Sequence, residues 1–220
     1  SAECSLLTRD GEQRHVMIEA SAFYRNGQFV HSRATVFDLT ERKKLEEKLR
    51  AQAMTDPLTG VFNRRYLQAQ ATTEISRARR QHHPIAFIAI DIDHFKRIND
   101  TYGHDVGDDV LKSFTKIVTE LLRQEDLLCR VGGEEFAILL PNTSLAQAEQ
   151  VAERIRSKAA ATPINISEEH SEKVLWLTVS LGITTISTNE KALKYALKRA
   201  DIGLYQAKEN GRNQAVVNTV

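Results

Sequence analysis

The sequence predicts an α/β fold, an α/β (α+β) sandwich in which helices wrap a central mixed sheet. Helical and strand-like stretches alternate from residue 55 to the C-terminus. Two strand-like runs, Leu127–Val131 and Glu135–Leu140, flank Gly132-Gly133 and read as an antiparallel hairpin, which makes the sheet a mixed one. At 220 residues, 41% of them apolar and 27% charged, the chain has the material for a buried core.

Residues 1–40 read as extended chain: Asp10-Gly11 marks a hairpin turn, His15–Tyr24 alternates loosely, Asn26-Gly27 marks a second turn and Phe29–Phe37 is a third run. Three such strands make a thin sheet with a face wanting a partner. Residues 41–54 form a helical linker, with Thr40 as its expected N-cap and no Gly or Pro before Met54. Leu45 and Leu49 give it an apolar edge, which suits either a solvated connector or a short parallel coiled coil between two chains. Residues 55–220 carry the main domain. Pro57 and Gly60 break the linker helix, Asn63 caps a helix to about Gln81, and His83-Pro84 ends it before a strand over Ile85–Asp91. Two helical stretches follow around the turn Tyr102-Gly-His104, ending near Arg123. After the hairpin, Pro141-Asn-Thr-Ser144 caps a helix to about Ala160, and Val174–Thr185 is β-rich with Gly182 inside it. A helix from Lys191 to about Asn210 ends at Gly211, and Gln214–Val217 makes a last short strand.

The charge balance excludes some classes of function. The net charge of +1 carries no electrostatic footprint for duplex nucleic acid, with local basic patches left open and no nucleic-acid partner expected. Two cysteines make neither a disulfide framework nor a zinc set, which suits a reducing, cytoplasmic setting. No apolar stretch nears the ~20 residues that span a bilayer, so no direct membrane contact is expected of this segment. The N-terminus carries no signal-peptide pattern and begins abruptly, as a piece of a longer protein would.

Chemistry concentrates at two acidic sites. In Arg130-Val-Gly-Gly-Glu-Glu-Phe136 two carboxylates sit on a tight glycine turn, a plausible seat for a hard metal ion with a phosphate ligand. Upstream, the apolar run into Asp91-Ile92-Asp93 ends in alternating acids, which on a strand point to the same face. Asp91, next to the apolar run, is expected to be partly enclosed and to need a cation or donors; the alternative is a solvated strand end capping the next helix.

The stretch Asp91-Ile-Asp-His-Phe-Lys-Arg-Ile-Asn99, continuing through His104 to Asp108-Asp-Val-Leu111, and then Arg130-Val-Gly-Gly-Glu-Glu-Phe136, closely resembles the GGDEF family of diguanylate cyclases. Thr55-Asp-Pro-Leu-Thr-Gly-Val-Phe-Asn-Arg-Arg65 looks like the opening motif of that family. Thr178-Val-Ser-Leu-Gly-Ile183 and Ala200-Asp-Ile-Gly-Leu-Tyr-Gln-Ala-Lys208-Glu-Asn-Gly-Arg212-Asn look like its later ones. The likeness covers residues 55–217, in order. It implies a fold like that of class III nucleotidyl cyclases and the polymerase palm. It also implies condensation of two GTP molecules to cyclic di-GMP and pyrophosphate by a homodimer with one GTP per subunit.

Residue by residue, the resemblance implies that Asp91, Glu134 and the carbonyl of Ile92 hold Mg²⁺, with Mn²⁺ as an alternative. Hard oxygens suit such an ion. Glu134 also matches a residue proposed to help deprotonate the ribose 3′-hydroxyl, and Glu135 is either catalytic or orients the turn. Lys96, with backbone donors near Phe95, matches a phosphate-binding and transition-state-stabilising lysine. Lys208 and Arg212 match residues that reach the triphosphate; without the resemblance they read as a solvated pair four residues apart. Asn99 and Asp108 match a guanine-reading pair, and Asp108 favours GTP over ATP because a carboxylate accepts from the guanine N1–H and amine. His104 is either near this pocket or a plain turn histidine. Arg123-Gln-Glu-Asp126, with Arg154, resembles the family's inhibitory site for cyclic di-GMP; a surface ion pair is the alternative. Arg9 through Arg42 resembles the C-terminal half of a PAS sensory domain. A catalytically silent module that binds cyclic di-GMP or GTP is the leading alternative function, and another nucleotidyl cyclase is the second; Asp108 argues against the latter.

Overall fold

A computed structural model describes residues 1–168, 171–187 and 193–219. The chain divides into two compact units, Ser1–Ala53 and Met54–Val220. In the first, strands β1 (Ala2–Leu7), β2 (Gln13–Arg25) and β3 (Gln28–Asp38) pair antiparallel in the order β1-β2-β3. The β2–β3 turn places Asn26 at φ 53° and Gly27 at φ 77°, the two positive angles that a two-residue hairpin needs. The sheet leaves Phe23, Tyr24, Phe29 and Val36 exposed. Helix α1 (Thr40–Met54) follows. Its cap differs from expectation: Asp38 accepts the Thr40 N–H at 2.8 Å, and Thr40 is the first helical residue, its Oγ1 taken by the N–H of His15. Bonds from Thr40 and Arg14 hold the Asp38 carboxyl down at about 2. Leu45 and Leu49 lie exposed on α1.

The second unit is built around a strand with no polar face. β5 (Ile85–Ile92) is buried at every position, the mark of a strand covered on both sides. It lies inside a six-stranded mixed sheet of order β11-β10-β5-β7-β6-β4. The other strands are β4 (Phe62–Asn63), β6 (Leu127–Gly132), β7 (Glu135–Pro141), β10 (Val179–Ile186) and β11 (Ala215–Val217). The helices are α2 (Arg64–Gln81), α3 (Phe95–Tyr102), α4 (His104–Thr119), α5 (Leu145–Ala161) and α6 (Leu193–Glu209). Alternation along β5 divides the core. Ile88, Ile90 and Ile92 pack with Phe114 and Val118 of α4 and Ile155 of α5. Phe87 and Ala89 pack with Leu67 and Ala71 of α2 and Ala200 and Leu204 of α6. This is the expected central mixed sheet wrapped by helices.

The caps on α2 and α5 are as the sequence indicates. Asn63 accepts from the N–H of Tyr66, and Ser144 forms a reciprocal capping box with Gln147. Other expectations are corrected. α4 stops at Thr119 rather than near Arg123, and the chain turns through 120–126 with Asp126 Oδ2 accepting the Arg123 N–H at 2.9 Å. The β-rich run from Val174 is two strands, β9 (Ser171–Leu175) and β10, separated at 176–178; β9 pairs with an unforeseen β8 (Ile164–Glu168). Lys191, where the sequence starts the last helix, lies outside the described residues. Among the described residues no helix is long and apolar enough to cross a membrane.

One glycine sets how closely α6 lies on the sheet. A methyl at Gly182 of β10 would overlap the backbone carbonyl of Ala200 and the N–H of Leu204. Backbone cannot move aside as a side-chain tip can, so Gly182→Ala is expected to destabilise the chain by ~1–3 kcal/mol, read as a lower midpoint in urea denaturation at unchanged slope.

Candidate active site

The chemistry gathers where β5 ends. Antiparallel pairing with β7 sets Asp91 opposite Glu135, and the Ile92 N–H donates to the Glu134 carbonyl at 3.4 Å. The Gly-Gly-Glu-Glu turn therefore lies directly beside Asp91. Its backbone is tied from the opposite side. Arg130 Nε donates to the Gly133 carbonyl at 2.8 Å, and Arg130 Nη1 donates to Asp56 Oδ1 at 3.0 Å. The same Asp56 oxygen takes the N–H and hydroxyl of Thr59. Burial raises the Asp56 carboxyl, but bonds from Thr59 and Arg130 outweigh it and hold it below its ordinary range. Gly133 sits at φ 44°, a conformation this turn reserves for glycine.

Asp91 and Asp93 are 6% and 4% exposed, so neither is a solvated strand end. Lys208, on the last turn of α6, reaches Asp91 Oδ2 at 2.7 Å rather than standing free with Arg212. Burial raises the Asp91 carboxyl above its ordinary range; the hydrogen bond and charge of Lys208 pull it back only in part, and Glu134 and Glu135 add smaller repulsions. Three carboxylates against one close ammonium leave a surplus of negative charge that suits a cation. Asp93 is satisfied by protein alone. Thr178 Oγ1 and Ser180 Oγ donate to it at 2.7 Å each, and the Asn213 N–H donates at 3.0 Å. Among the described residues no three His, Cys, Asp or Glu side chains converge on one point. A divalent ion here would rest on two carboxylates, the Ile92 carbonyl and oxygens of its own ligand, which fits Mg²⁺, an ion that keeps few protein ligands.

Across the sheet, α3 packs on α4. Lys96 is exposed in the first turn of α3 while Phe95 beside it is buried. Asn99 of α3 meets Gly107 of α4, where any side chain would collide with Asn99 Oδ1. That oxygen is buried and has no partner among the described residues, an acceptor suited to a ligand donor. Asp108, next to Gly107, is half-buried. His104 is the exposed first residue of α4. Glu135 lines a cavity of about 270 Å³ with Arg64 and Asp201, between α2 and α6.

A separate cavity of about 310 Å³ is lined by Arg123, Asp126, Leu122, the loop residues Gly60 and Val61, and Phe62 at the start of β4. Asp126 Oδ1 is buried there with no partner among the described residues. Burial raises its carboxyl against the opposing Arg123 N–H bond and the charges of Arg123 and Arg154. Arg154 is anchored by a 2.7 Å bond from Nη2 to the Leu121 carbonyl. Arg123 and Asp126 thus line one cavity, and Arg154 lies near enough for its charge to act on Asp126. Asp56, Arg130, Ser180 and Asn213 are the contributors that sequence reasoning left without a role. Their signal was position: each is a polar residue inside one of the motif blocks.

The sequence profile described as "Diguanylate cyclase, GGDEF domain" matches residues 53–214. The chain belongs to the GGDEF diguanylate cyclase family. It is 43% identical over 175 residues to the response regulator PleD of Caulobacter vibrioides, covering 80% of this chain and 38% of that protein. It is 39% identical over 211 residues to diguanylate cyclase DgcM of Escherichia coli, covering 94% of this chain and 48% of that one. The chain thus spans less than half the length of these relatives. Among solved structures, the coiled coil and GGDEF domain of DgcB from Caulobacter crescentus, in complex with c-di-GMP, superposes with a TM-score of 0.75 at 27% identity, covering 80% of this chain and 92% of that one.

The Asp91 environment carries a stability consequence. Its carboxyl titrates higher in the folded chain than in the unfolded one, so its proton stabilises the fold fully below the unfolded value. That contribution is lost as pH rises through the folded value. Asp91→Asn, neutral at every pH, is therefore expected to melt at a higher temperature than the parent at pH 7 without added metal. The gap should close as pH falls below the ordinary carboxylate range, read by calorimetry across pH.

Proposed function

We propose that this chain is a diguanylate cyclase that condenses two GTP molecules into cyclic di-GMP, releasing two pyrophosphates, with Mg²⁺ or Mn²⁺ and as a homodimer. The observation that carries the reading is the juxtaposition of buried Asp91 with the Gly-Gly-Glu-Glu turn, locked by the Ile92–Glu134 backbone bond and edged by Lys208. Bound between Asp91, Glu134 and the Ile92 carbonyl, a divalent ion would neutralise phosphate charge and lower the cost of the charge that develops on the attacking and leaving oxygens. The remaining work falls to the protein.

Lys96, Lys208 and Arg212 bind the triphosphate and stabilise the charge that builds as pyrophosphate departs. Breaking of the Asp91–Lys208 pair on nucleotide binding would free the ammonium for phosphate. Asn99 and Asp108 read guanine: the buried Asn99 Oδ1 and the Asp108 carboxylate are acceptors for a base edge that adenine lacks. His104 borders that pocket. Glu134 assists loss of the 3′-hydroxyl proton. Glu135 orients the turn from the Arg64–Asp201 side. The hydroxyl and the phosphorus it attacks come from GTP molecules on different subunits, so each new P–O bond needs two chains. Arg123, Asp126 and Arg154 bind the product, with Asp126 Oδ1 as an acceptor for guanine and the arginines as donors. The N-terminal strands are read as the C-terminal half of a PAS domain, with α1 as linker and the segment in the cytoplasm.

The test is incubation with GTP and Mg²⁺ followed by chromatography. Cyclic di-GMP and pyrophosphate are expected from the parent chain. Glu134→Gln is expected to lose turnover by at least about a hundredfold, by analogy with loss of one group that stabilises transition-state charge, while its circular dichroism is unchanged. A chain that binds GTP and cyclic di-GMP but forms no product, as an isolated subunit or when dimerised through α1, would instead be the silent module. Product inhibition gives an independent readout: Arg123→Ala is expected to keep its initial rate and lose the slowing as cyclic di-GMP accumulates. Identical inhibition curves for the two proteins would remove the regulatory site.

A further inference from the structure

The turn after α6 holds three consecutive residues at positive φ: Gly211 at 107°, Arg212 at 65° and Asn213 at 45°. Glycine adopts such backbone freely, whereas arginine does so only under constraint. Part of the constraint is local. The Arg212 N–H closes the end of α6 by donating to the Ala207 carbonyl at 2.9 Å. Gln214 Nε2 donates to the carbonyls of Ala207 and Arg212 at 3.1 and 3.3 Å. The rest comes from distant elements. The Asn213 N–H donates to Asp93 Oδ2, beyond the end of β5, at 3.0 Å. Arg156 of α5 donates from Nη1 to Asn213 Oδ1 at 2.8 Å, its other nitrogens held by Glu153.

Asp93 is suited to be the fixed end of this tether. It is 4% exposed. Ser180 Oγ occupies its Oδ1, and Thr178 Oγ1 shares Oδ2 with Asn213. Its own N–H donates to the Thr178 carbonyl at 2.9 Å. A carboxylate engaged on both oxygens by protein donors has little left for a metal ion or for substrate. What it grips is the peptide immediately after Arg212.

We infer that Asp93 is a positioning residue for nucleotide binding: by accepting the Asn213 N–H it holds the left-handed 211–213 turn and so aims the Arg212 guanidinium at the triphosphate. This rests on the reading of Arg212 as a phosphate contact. Asp91 and Asp93 then divide the labour at the end of one strand. The first faces the ion and Lys208, and the second sets the other cation of the same helix end.

The hydrogen-bond pattern tells the conservative variant from the disruptive one. In Asp93→Asn the amide oxygen can still accept from Asn213 N–H and Thr178, and its NH₂ can donate to the Ser180 hydroxyl, which serves as acceptor as readily as donor. In Asp93→Ala the tether is gone. Affinity for a non-hydrolysable GTP analogue with Mg²⁺, measured by calorimetry on the full chain, is expected to fall about tenfold in Asp93→Ala (~1.4 kcal/mol). Asp93→Asn should stay within about threefold of the parent, and Asp93→Ala combined with Arg212→Ala should be no weaker than Arg212→Ala alone, because the two act as a unit. Amide hydrogen exchange at Asn213 is the second readout, and it needs no ligand: Asp93→Ala should release that amide, and Asp93→Asn should keep it protected. Should Asp93→Ala fail to fold, Arg156→Ala cuts the surface tether alone and is expected to speed exchange across 211–214 and weaken the analogue in the same direction. The inference is overturned if Asp93→Asn binds as poorly as Asp93→Ala, which would make charge rather than geometry the cause, if the losses at 93 and 212 simply add, or if Asn213 stays protected without Asp93. Parental affinity in Arg212→Ala together with a released Asn213 amide in Asp93→Ala would instead contradict the phosphate reading of Arg212 and leave the tether standing.

Discussion

Everything in the second unit turns on what happens where an apolar strand runs out. β5 is covered on both faces along its whole length, and two buried carboxylates stand where it ends, Asp91 within it and Asp93 just beyond it. A buried carboxylate without compensation is costly. The fold resolves the two cases differently. Asp93 receives three protein donors and becomes a structural knot. Asp91 receives one ammonium and two acidic neighbours, and stays electrostatically uncomfortable. That unresolved charge is the feature a divalent ion and a polyphosphate would relieve.

The elements around β5 serve this arrangement. β7 brings the Gly-Gly-Glu-Glu turn into register with Asp91, and Arg130 and Asp56 hold the turn from its far side. α6 lies close on the sheet because Gly182 leaves room for its backbone, and that closeness lets Lys208 reach Asp91. On the other face α3 and α4 approach closely at Asn99 and Gly107, where the buried Asn99 Oδ1 has no partner among the described residues. The loop that carries Asp56 continues through Gly60 and Val61 to Phe62 of β4, and these three line the cavity of Arg123 and Asp126. The segment is thus tied to the Gly-Gly-Glu-Glu turn through Arg130 and also lines that second cavity.

Much of this was legible in the sequence, because the informative residues sit at element ends where chemistry and punctuation coincide. Alternating helix and strand patterns gave the mixed sheet, and Asn63 and Ser144 marked helix starts through their capping oxygens. The acids at 91 and 134 were readable because paired carboxylates on a glycine turn have few uses. Less legible were features decided by tertiary contact. Strand β8 was missed because Ile164–Glu168 is short and gains its place by pairing with β9. The end of α4 was placed too late because nothing local stops the helix at Thr119; the Asp126 bond to Arg123 organises the turn beyond it. The capping role at residue 40 went to Thr40 on propensity, whereas Asp38 holds the bond, freeing the Thr40 hydroxyl for His15. The separate fates of Asp91 and Asp93 depend on partners that stand 85 to 120 residues away in the chain, and spacing alone does not reveal those.

The surplus charge around Asp91 is proposed as the seat of a divalent ion with its nucleotide. This is tested most directly by titrating Mn²⁺ into the chain, followed by electron paramagnetic resonance, with and without a non-hydrolysable GTP analogue. One ion per subunit is expected, bound more tightly with nucleotide and lost in Asp91→Asn. Equal Mn²⁺ binding by the parent and Asp91→Asn, in the presence of the analogue, would contradict it.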